Sequence, residues 1–350
     1  MNRVSADQTT VSSVANPSIV LAECEGVSVR PDRFLLAYFR DEKNEDGEQI
    51  RFAVSTGPAP TAWTTLNGGR PVLTSEVGEG GARDPYLVRD PITGGFVLLA
   101  TDLRVWPDDD WERAMRFGSR AILVWTSIDL SSWTGPRLVT VAPPQVGNTW
   151  APKAVWSPER GCWMVVWASA LFDDEDRTRR GHQRLLTAPT RDFTVFGPAE
   201  VYLDTGYDVL DAAFLRDGAD WYRISAVFRP PLEGEREGTH VVVERGAGFD
   251  DPAYETVAVV GRGDLKRGEG PAVARAADGT TYALIDEFGL RSYQLFATDG
   301  PPSGSWHRVA GAALPDGARH GSLLPITELE AELLLAAEWP SSAPMDVTTR

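Results

Sequence analysis

Three acidic residues stand at the start of apolar runs that have the composition of buried strands. Asp84 precedes PYLV, Asp211 precedes AAFL and Glu269 precedes GPAV. One such residue alone would be an ordinary turn residue, but three in one small space would raise one another's pKa. One carboxyl group can then stay protonated as a general acid while another stays ionised as a general base, and this pair can hydrolyse a glycosidic bond.

The three acidic motifs belong to a series of five strand entrances along the chain. The entrances are RDPYLV (83–88), WAPKAV (150–155), LDAAFL (210–215), GEGPAV (268–273) and RHGSLL (319–324). The successive intervals from Asp84 to Trp150, Asp211, Glu269 and His320 are 66, 61, 58 and 51 residues. A repeat of this size, with roughly four strands per unit, predicts propeller blades around a central channel. The innermost strands of a propeller begin at one mouth of the channel, so the three carboxylates are expected to converge there.

Short apolar runs separated by turn residues fill most of the chain, which contains 33 Gly and 25 Pro. Helical periodicity is scarce before the C-terminus, so the fold class is predicted to be all-β. The fifth entrance is followed by too little chain for a complete blade. The runs FLLAYFR (34–40) and IRFAVST (50–56) have the pattern of a second and a third blade strand. We therefore expect the N- and C-terminal segments to share one blade and close a five-bladed ring.

The C-terminal run TELEAELLLAAEW (327–339) predicts a short helix. Thr327 and Glu330 have the spacing of a capping box, and good helix formers follow them. The predicted organisation is a disordered segment over residues 1–16, a single propeller domain over 17–338 and a C-terminal tail over 339–350.

The composition argues against several classes of partner. Lys and Arg number 34 against 50 Asp and Glu, a net charge of −16, which disfavours nucleic acid and anionic membranes and favours a neutral or cationic ligand. Cys24 and Cys162 lie far apart and the four His are scattered, which argues against a disulfide framework or a zinc site. Without a run resembling a signal peptide or a membrane span, a soluble cytoplasmic protein is expected. The oligomeric state is not indicated.

The five entrances, in this order and at these intervals, resemble those of glycoside hydrolase family 43. The stretches YFRDEKNEDGEQIRFAVS (38–55) and WTTLNGGRPVL (63–73) are similar to an arabinofuranosidase branch of that family. The resemblance covers about residues 33–338. It implies a five-bladed propeller that cleaves α-L-arabinofuranosides or β-xylosides with inversion.

The resemblance also implies a role for each entrance residue. The general base falls on Asp84, the general acid on Glu269, and the auxiliary Asp that orients the acid on Asp211. The channel histidine that contacts water or a cation falls on His320, and a calcium ion near it is implied by the resemblance alone. Inversion requires the base and the acid to lie roughly 6.5–9.5 Å apart.

Five further residues could contact the substrate or affect the charge of the site. Arg83 and Arg319 precede channel residues and would either neutralise the carboxylates or bind substrate. Trp150 could stack on a sugar or fill the core, and Asp102, at the end of FVLLATD, could accept a sugar hydroxyl. Lys153 stands where family members commonly have an acidic residue, so it either points away from the site or brings a cation near it.

A second departure from the family pattern, besides Lys153, concerns the auxiliary motif. Asp211 is followed by two alanines, whereas the family usually has Pro or a small polar residue there. The loop PDDDWER (107–113) is expected to be a solvated surface loop, with a subsite wall that includes Trp106 or Trp111 as the alternative.

Several functions fit this pattern. The leading interpretation is an inverting, exo-acting α-L-arabinofuranosidase that removes terminal residues from short imported oligosaccharides and requires no cofactor. The alternatives within the enzymes are a β-xylosidase, an endo-arabinanase and a retaining glycosidase of another family. The alternative outside the enzymes is a propeller that binds sugar or protein without catalysis, which would have no need of three convergent carboxylates.

Overall fold

The structure is a computed structural model that describes residues 32–174, 176–179, 181–229 and 239–339. The predicted segment 1–16, and all of the predicted tail except Trp339, lie outside these residues. Twenty strands form five four-stranded antiparallel sheets, and the described residues also contain two short α-helices and a 3-10 turn at Leu66–Gly69. Nearly all of the regular structure is therefore β, and the five-bladed propeller predicted from the repeat is confirmed.

Four sheets are each built from consecutive strands. The first contains β4 (Ala82–Arg89), β5 (Phe96–Asp102), β6 (Ala121–Ser127) and β7 (Trp133–Thr140). The second contains β8 (Trp150–Ser157), β9 (Cys162–Ala170), β10 (Gln183–Thr190) and β11 (Glu200–Leu203). The third contains β12 (Asp208–Asp217), β13 (Asp220–Phe228), β14 (His240–Gly246) and β15 (Glu255–Val260). The fourth contains β16 (Glu269–Arg275), β17 (Thr281–Glu287), β18 (Arg291–Thr298) and β19 (His307–Arg308).

The fifth sheet joins the two ends of the propeller. It has the order β20, β1, β2, β3, with β1 at Arg33–Phe39, β2 at Arg51–Ser55, β3 at Trp63–Thr65 and β20 at Arg319–Ile326. β20 is the innermost strand and pairs antiparallel with β1, which comes from the other end of the chain. The prediction that N- and C-terminal segments share one blade is confirmed.

The helix α2 (Glu328–Ala336) follows β20 and is tied to two blades. The capping box predicted for Thr327 and Glu330 is present, with both reciprocal hydrogen bonds formed. Glu330 also accepts two hydrogen bonds from Arg89 of β4, at 2.8 and 2.9 Å, and Glu328 pairs with Arg33 of β1. The ring closure is therefore reinforced by ion pairs as well as by the strand pairing.

The apolar cores lie between neighbouring blades, which explains why strands inside a sheet, such as β5, are continuously apolar. In β5, Phe96, Leu98 and Ala100 pack in the core shared with the closing sheet. Val97 and Leu99, whose side chains point to the opposite face, pack in the core shared with the second blade. A strand that is covered on both faces needs apolar residues at every position.

No helix within the described residues has the length and apolarity needed to cross a membrane.

The closing blade should be essential to stability. We expect Leu36→Ala to lower the free energy of unfolding by about 2–5 kcal/mol, because Leu36 of β1 is fully buried where the ring closes. Leu333→Ala, on α2, is the matched control, since that leucine is 52% exposed and its loss should cost less than about 0.5 kcal/mol. Equal effects of the two substitutions in urea unfolding would contradict this role for β1.

Candidate active site

A β-bulge interrupts the innermost strand of every blade at the same place. Between the cross-strand pairs on either side of the bulge, the innermost strand advances by three residues and its neighbour by two. The innermost strand therefore contains one extra residue. The bulged residue has a positive φ in all five blades: Asp84 (53°), Ala151 (50°), Asp211 (58°), Gly270 (56°) and His320 (33°). Three of these are residues that the entrance motifs singled out, and the other two, Ala151 and Gly270, directly follow Trp150 and Glu269.

The bulges bring the entrance side chains to one cavity of about 710 Å³. Most of the predicted site residues line it, namely Arg83, Asp84, Trp150, Asp211, Glu269, Arg319 and His320. Residues separated by more than two hundred positions in the chain therefore share one space. Their convergence follows from the closed ring, because each blade contributes the start of one inner strand.

His320 is the centre of this cluster and contacts four carboxylates. Its Nδ1 lies 3.3 Å from Asp84 Oδ1 and 3.8 Å from Asp211 Oδ2, and its Nε2 lies 2.9 Å from Glu269 Oε1 and 3.3 Å from Asp286 Oδ2. Burial lowers the pKa of His320, but the charges of Asp211 and Glu269 and hydrogen bonds to Asp84 and Glu269 outweigh it and raise the pKa well above 6.5. This environment favours the imidazolium form, which donates from both nitrogens.

Asp84 and Asp211 have opposite pKa shifts. Burial would raise the pKa of Asp84, but the hydrogen bond and charge of His320, with help from Arg83 and Thr101, lower it to about 2. Burial raises the pKa of Asp211 to about 6, and the negative charges of Glu269 and Asp84 add to this increase. Asp84 is therefore ionised at neutral pH, whereas Asp211 takes up a proton at a much higher pH than Asp84 does.

Asp84 is held in place from two blades. Thr101 Oγ1 donates a 2.7 Å hydrogen bond to Asp84 Oδ2 and accepts one of 2.8 Å from the bulged N–H of Ala151. Arg83 places its guanidinium between the rings of Phe39 and Trp111, at 4.6 and 4.9 Å, and donates to the fully buried Glu48 at 2.9 Å. The base candidate is thus fixed by hydrogen bonds, while its neighbouring arginine is already neutralised.

The Glu269 side of the site depends on a glycine. Gly270 has a φ of 56°, and a Cβ at this position would lie 2.7 Å from the ring of His320. Its N–H donates a 2.9 Å hydrogen bond to Asp211 Oδ2. Any side chain at position 270 would therefore displace the imidazole, which explains the glycine that follows Glu269.

One acidic residue of the site was missed at the sequence level. Asp286 of β17 is fully buried, lines the cavity and accepts a 2.7 Å hydrogen bond from Arg319 Nε, while its Oδ1 has no hydrogen-bond partner among the described residues. Burial raises the pKa of Asp286, against the charges of Arg319 and His320. The sequence carried a signal for it, because Asp286 stands near the end of the apolar run TYALIDE (281–287), and the structure pairs it across the sheet with Glu269.

Asp102 is not placed with the other predicted site residues. It does not line the cavity, and its Oδ1 accepts a 2.8 Å hydrogen bond from the backbone of Glu79. In the first blade, Thr101 has the position that Asp286 has in the fourth, opposite the last residue before the bulge. Because side chains alternate along a strand, the next residue, Asp102, points to the other face. The structure therefore offers no support for its predicted contact with a sugar.

The acidic loop 107–113 differs in part from the expected solvated loop. Residues 107–110 are exposed, but a short helix α1 (Trp111–Arg116) begins after Asp110, whose side chain caps it. Trp111 lines the cavity and meets Trp150 edge-to-face, with the ring centroids 6.3 Å apart. The position of Trp111 therefore matches the alternative prediction, a wall of the cavity that includes this residue.

Asp211, Glu269 and His320 form a group of possible metal ligands. Each offers one ligand atom, and the three atoms lie within 4.8 Å of one another. Calcium prefers six to eight oxygen ligands, however, and both nitrogens of His320 are engaged with carboxylates, so the imidazolium has no lone pair to give. The protonated arrangement does not fit the calcium ion implied by the family resemblance, and that ion stays a prediction.

The site can perform acid–base chemistry on a bound ligand. Asp84 and Glu269 contact opposite nitrogens of a single imidazole, a separation compatible with the roughly 6.5–9.5 Å between the two carboxyl groups of inverting glycosidases. An ionised carboxylate on one side can accept a proton from water while a proton on the other side is delivered to a leaving oxygen.

Comparison with known proteins finds a matching family model and a curated relative. A family model described as "Probable glycosyl hydrolase domain", from the group related to glycosyl hydrolase family 43, matches residues 32–332. An alpha-L-arabinofuranosidase of Bifidobacterium longum subsp. longum is 28% identical over 247 residues, which is 66% of this chain and 23% of that protein. The chain therefore spans less than a quarter of the length of this curated relative.

Two solved structures share the fold at low identity. An exo-1,5-alpha-L-arabinanase from a bovine ruminal metagenomic library has a TM-score of 0.51 and 13% identity, with 80% of this chain and 96% of that chain covered. An alpha-L-arabinanase of Penicillium chrysogenum, complexed with arabinobiose, has a TM-score of 0.52 and 15% identity, with 84% and 82% covered.

The protonation of His320 can be tested directly. Because four carboxylates surround the ring and its pKa is raised well above 6.5, we expect both ring nitrogens to carry protons at about pH 7.5. Two-bond ¹H–¹⁵N correlation spectra distinguish an imidazolium from either neutral tautomer, and His320→Asn identifies the signals by their loss. A neutral-tautomer pattern at that pH would contradict the bridging role of His320.

Proposed function

We propose, from the premise that the chain belongs to the family of glycosyl hydrolase family 43-related domains, that it is an inverting glycoside hydrolase. The observation that carries the proposal is the position of Asp84 and Glu269 at opposite nitrogens of His320, on the wall of one cavity. Asp84 acts as the general base and Glu269 as the general acid. Asp211 is the auxiliary carboxylate, and it accepts the N–H of the residue that follows Glu269.

The proposed reaction is a single displacement. A water molecule beside Asp84 loses a proton to that carboxylate as its oxygen attacks the anomeric carbon. At the same time Glu269 gives a proton to the glycosidic oxygen, so the leaving group departs as a neutral alcohol. The low pKa of Asp84, about 2, supports its part because the base has to be ionised before the water binds.

The substrate proposed is a terminal α-L-arabinofuranosyl residue of a short oligosaccharide. This finer proposal is supported by the curated relative, whose name is alpha-L-arabinofuranosidase and which is 28% identical to this chain. A cavity lined by the aromatic side chains of Trp111, Trp150, Phe228 and Phe288 also suits the apolar face of a sugar. β-Xylosides and internal arabinan linkages are the substrates to be compared with it.

Asp84→Asn and Glu269→Gln should separate the two catalytic roles. On an arabino-oligosaccharide, whose leaving group is a poor one, we expect each change to lower kcat/KM by about 10²–10⁴-fold. On an aryl arabinofuranoside with an acidic phenol as leaving group, Glu269→Gln should lose much less, because that group needs no proton, whereas Asp84→Asn should remain impaired.

A control for these variants is Asp250→Asn, which makes the same chemical change in an ion pair with Arg160 that does not line the cavity. It should retain wild-type rates on both substrates. Normal turnover of the oligosaccharide by either site variant would overturn the assignment of the pair.

The stereochemistry of the first product provides a second test. A single displacement predicts that ¹H NMR of an early reaction mixture shows the anomer opposite to that of the substrate, before mutarotation. A panel of aryl α-L-arabinofuranosides and β-xylosides, with linear arabinan, establishes the sugar in the same experiment. Retention of configuration would exclude the single displacement. If no member of the panel is turned over, a propeller that binds sugar without catalysis is favoured instead.

A further inference from the structure

Lys153 is a buried cation that the proposed mechanism does not use. It lies on β8, directly after the bulge of the second blade, and is 2% exposed. The residues at the same position in the other four inner strands are Tyr86, Ala213, Ala272 and Ser322, none of which is charged at neutral pH. The lysine is therefore a feature of this one blade rather than a requirement of the repeat.

The ammonium group has little to stabilise it within its own blade. Its contact is with the ring of Tyr86 on the preceding blade, 5.0 Å from Nζ to the ring centroid. It makes no hydrogen bond or ion pair with any side chain in the described part of the protein. A buried ammonium without a close partner is costly, so longer-range negative charge has to offset part of that cost.

The negative charge near Lys153 comes from the two neighbouring inner strands. β8 packs between β4, which carries Asp84, and β12, which carries Asp211. Burial lowers the pKa of Lys153, and the charges of Asp211 and Asp84 oppose that change. These two carboxylates are therefore the groups to which its charge is coupled.

Other charged groups on the packed elements are already engaged. Arg83 of β4 is paired with Glu48, Asp102 of β5 accepts the N–H of Glu79, and Asp208 of β12 accepts the N–H of Gln183. β9, the partner strand of β8 in the sheet, has no charged residue between Cys162 and Ala170.

The charge balance of the site gives Lys153 a function. Four carboxyl groups contact His320, and the cations among them are His320 itself and Arg319. Lys153 adds a third positive charge to this group, in which Glu42 also lies 3.5 Å from Arg319, so the lysine reduces the excess of negative charge. One protonated acid beside an ionised base is the state that an inverting hydrolase requires. Without Lys153 a second carboxyl group would tend to take up a proton.

We propose that Lys153 is a positioning residue whose buried positive charge, held between the strands of Asp84 and Asp211, keeps both carboxylates ionised and oriented toward His320. This inference rests on the proposed function, because it assigns the lysine a part in the same acid–base site. Its contribution comes from charge rather than from side-chain volume, and the two can be separated by experiment.

Rescue by an external amine tests the need for charge. We expect Lys153→Ala to lower kcat on an arabino-oligosaccharide by about 10²-fold while KM changes less than about threefold, because substrate does not contact the lysine. Ethylammonium or propylammonium, which can enter the space left by the side chain, should restore part of the lost kcat, whereas ethanol and propanol should not. Lys266→Ala, an exposed lysine outside the cavity lining, should behave like the wild-type protein.

Rescue by the alcohols as well as the amines, or a variant with normal kcat, would overturn the proposal. If the wild-type protein hydrolyses none of the glycosides, the proposed function fails instead, and a measurement without turnover is then needed for Lys153.

A double-mutant cycle on thermal unfolding supplies that measurement and also covers the case in which one variant folds poorly. Lys153→Met keeps the shape of the side chain and should lower Tm, because it removes one of the positive charges that offset the buried carboxylates of Asp84 and Asp211. Asp211→Asn should relieve much of that loss when it is combined with Lys153→Met, so the double variant should melt above the value expected from additive effects. Strict additivity of the two Tm shifts would show that Lys153 is not coupled to Asp211.

Discussion

The β-bulge at the start of each inner strand is the constraint on which the site depends. An extra residue at this place takes a left-handed backbone conformation in all five blades, and in three of them that residue is Asp84, Asp211 or His320. For a residue other than glycine such a conformation costs on the order of 1–3 kcal/mol, so it persists only where the surroundings enforce it. Here the surroundings are the closed ring, because the bulged N–H of one blade bonds to a side chain of another, as Ala151 does to Thr101 and Gly270 to Asp211.

The second feature of the site is the amount of negative charge that the bulges bring together. Asp84, Asp211, Glu269 and Asp286 all contact one imidazole ring, and such a group would repel itself in the absence of cations. His320 and Arg319 supply charge from the closing blade, and Lys153 supplies it from the second blade. The result is an asymmetric cluster, in which the pKa of Asp84 is lowered to about 2 and that of Asp211 is raised to about 6. Asymmetry of this kind is what lets two carboxyl groups perform opposite steps of one reaction.

The closing blade connects stability to the site. β20 carries Arg319 and His320 at its start, and its partner β1 comes from the opposite end of the described chain. Glu42, in the turn after β1, lies 3.4 Å from Arg83 and 3.5 Å from Arg319, so the same blade holds the two arginines that flank the base and the histidine. Pairing of the chain ends thus completes the cavity at the same time as it completes the ring.

Much of this protein could be predicted from local pattern, because strands, turns and repeats are written in neighbouring residues. The apolar runs, the five entrance motifs and their order were enough to predict the blades, the shared closing sheet and the convergence of Asp84, Asp211, Glu269 and His320. What could not be predicted are contacts between blades, since these depend on how the ring closes. Asp102 and Asp286 both lie at or next to the end of an apolar second strand, yet only Asp286 lines the cavity. Asp286 pairs with the last residue before a bulge, whereas Asp102 pairs one residue further from its bulge and so points to the other face. Likewise nothing next to Lys153 in the chain reveals that its strand packs between the strands of Asp84 and Asp211, which precede and follow it by nearly sixty residues or more.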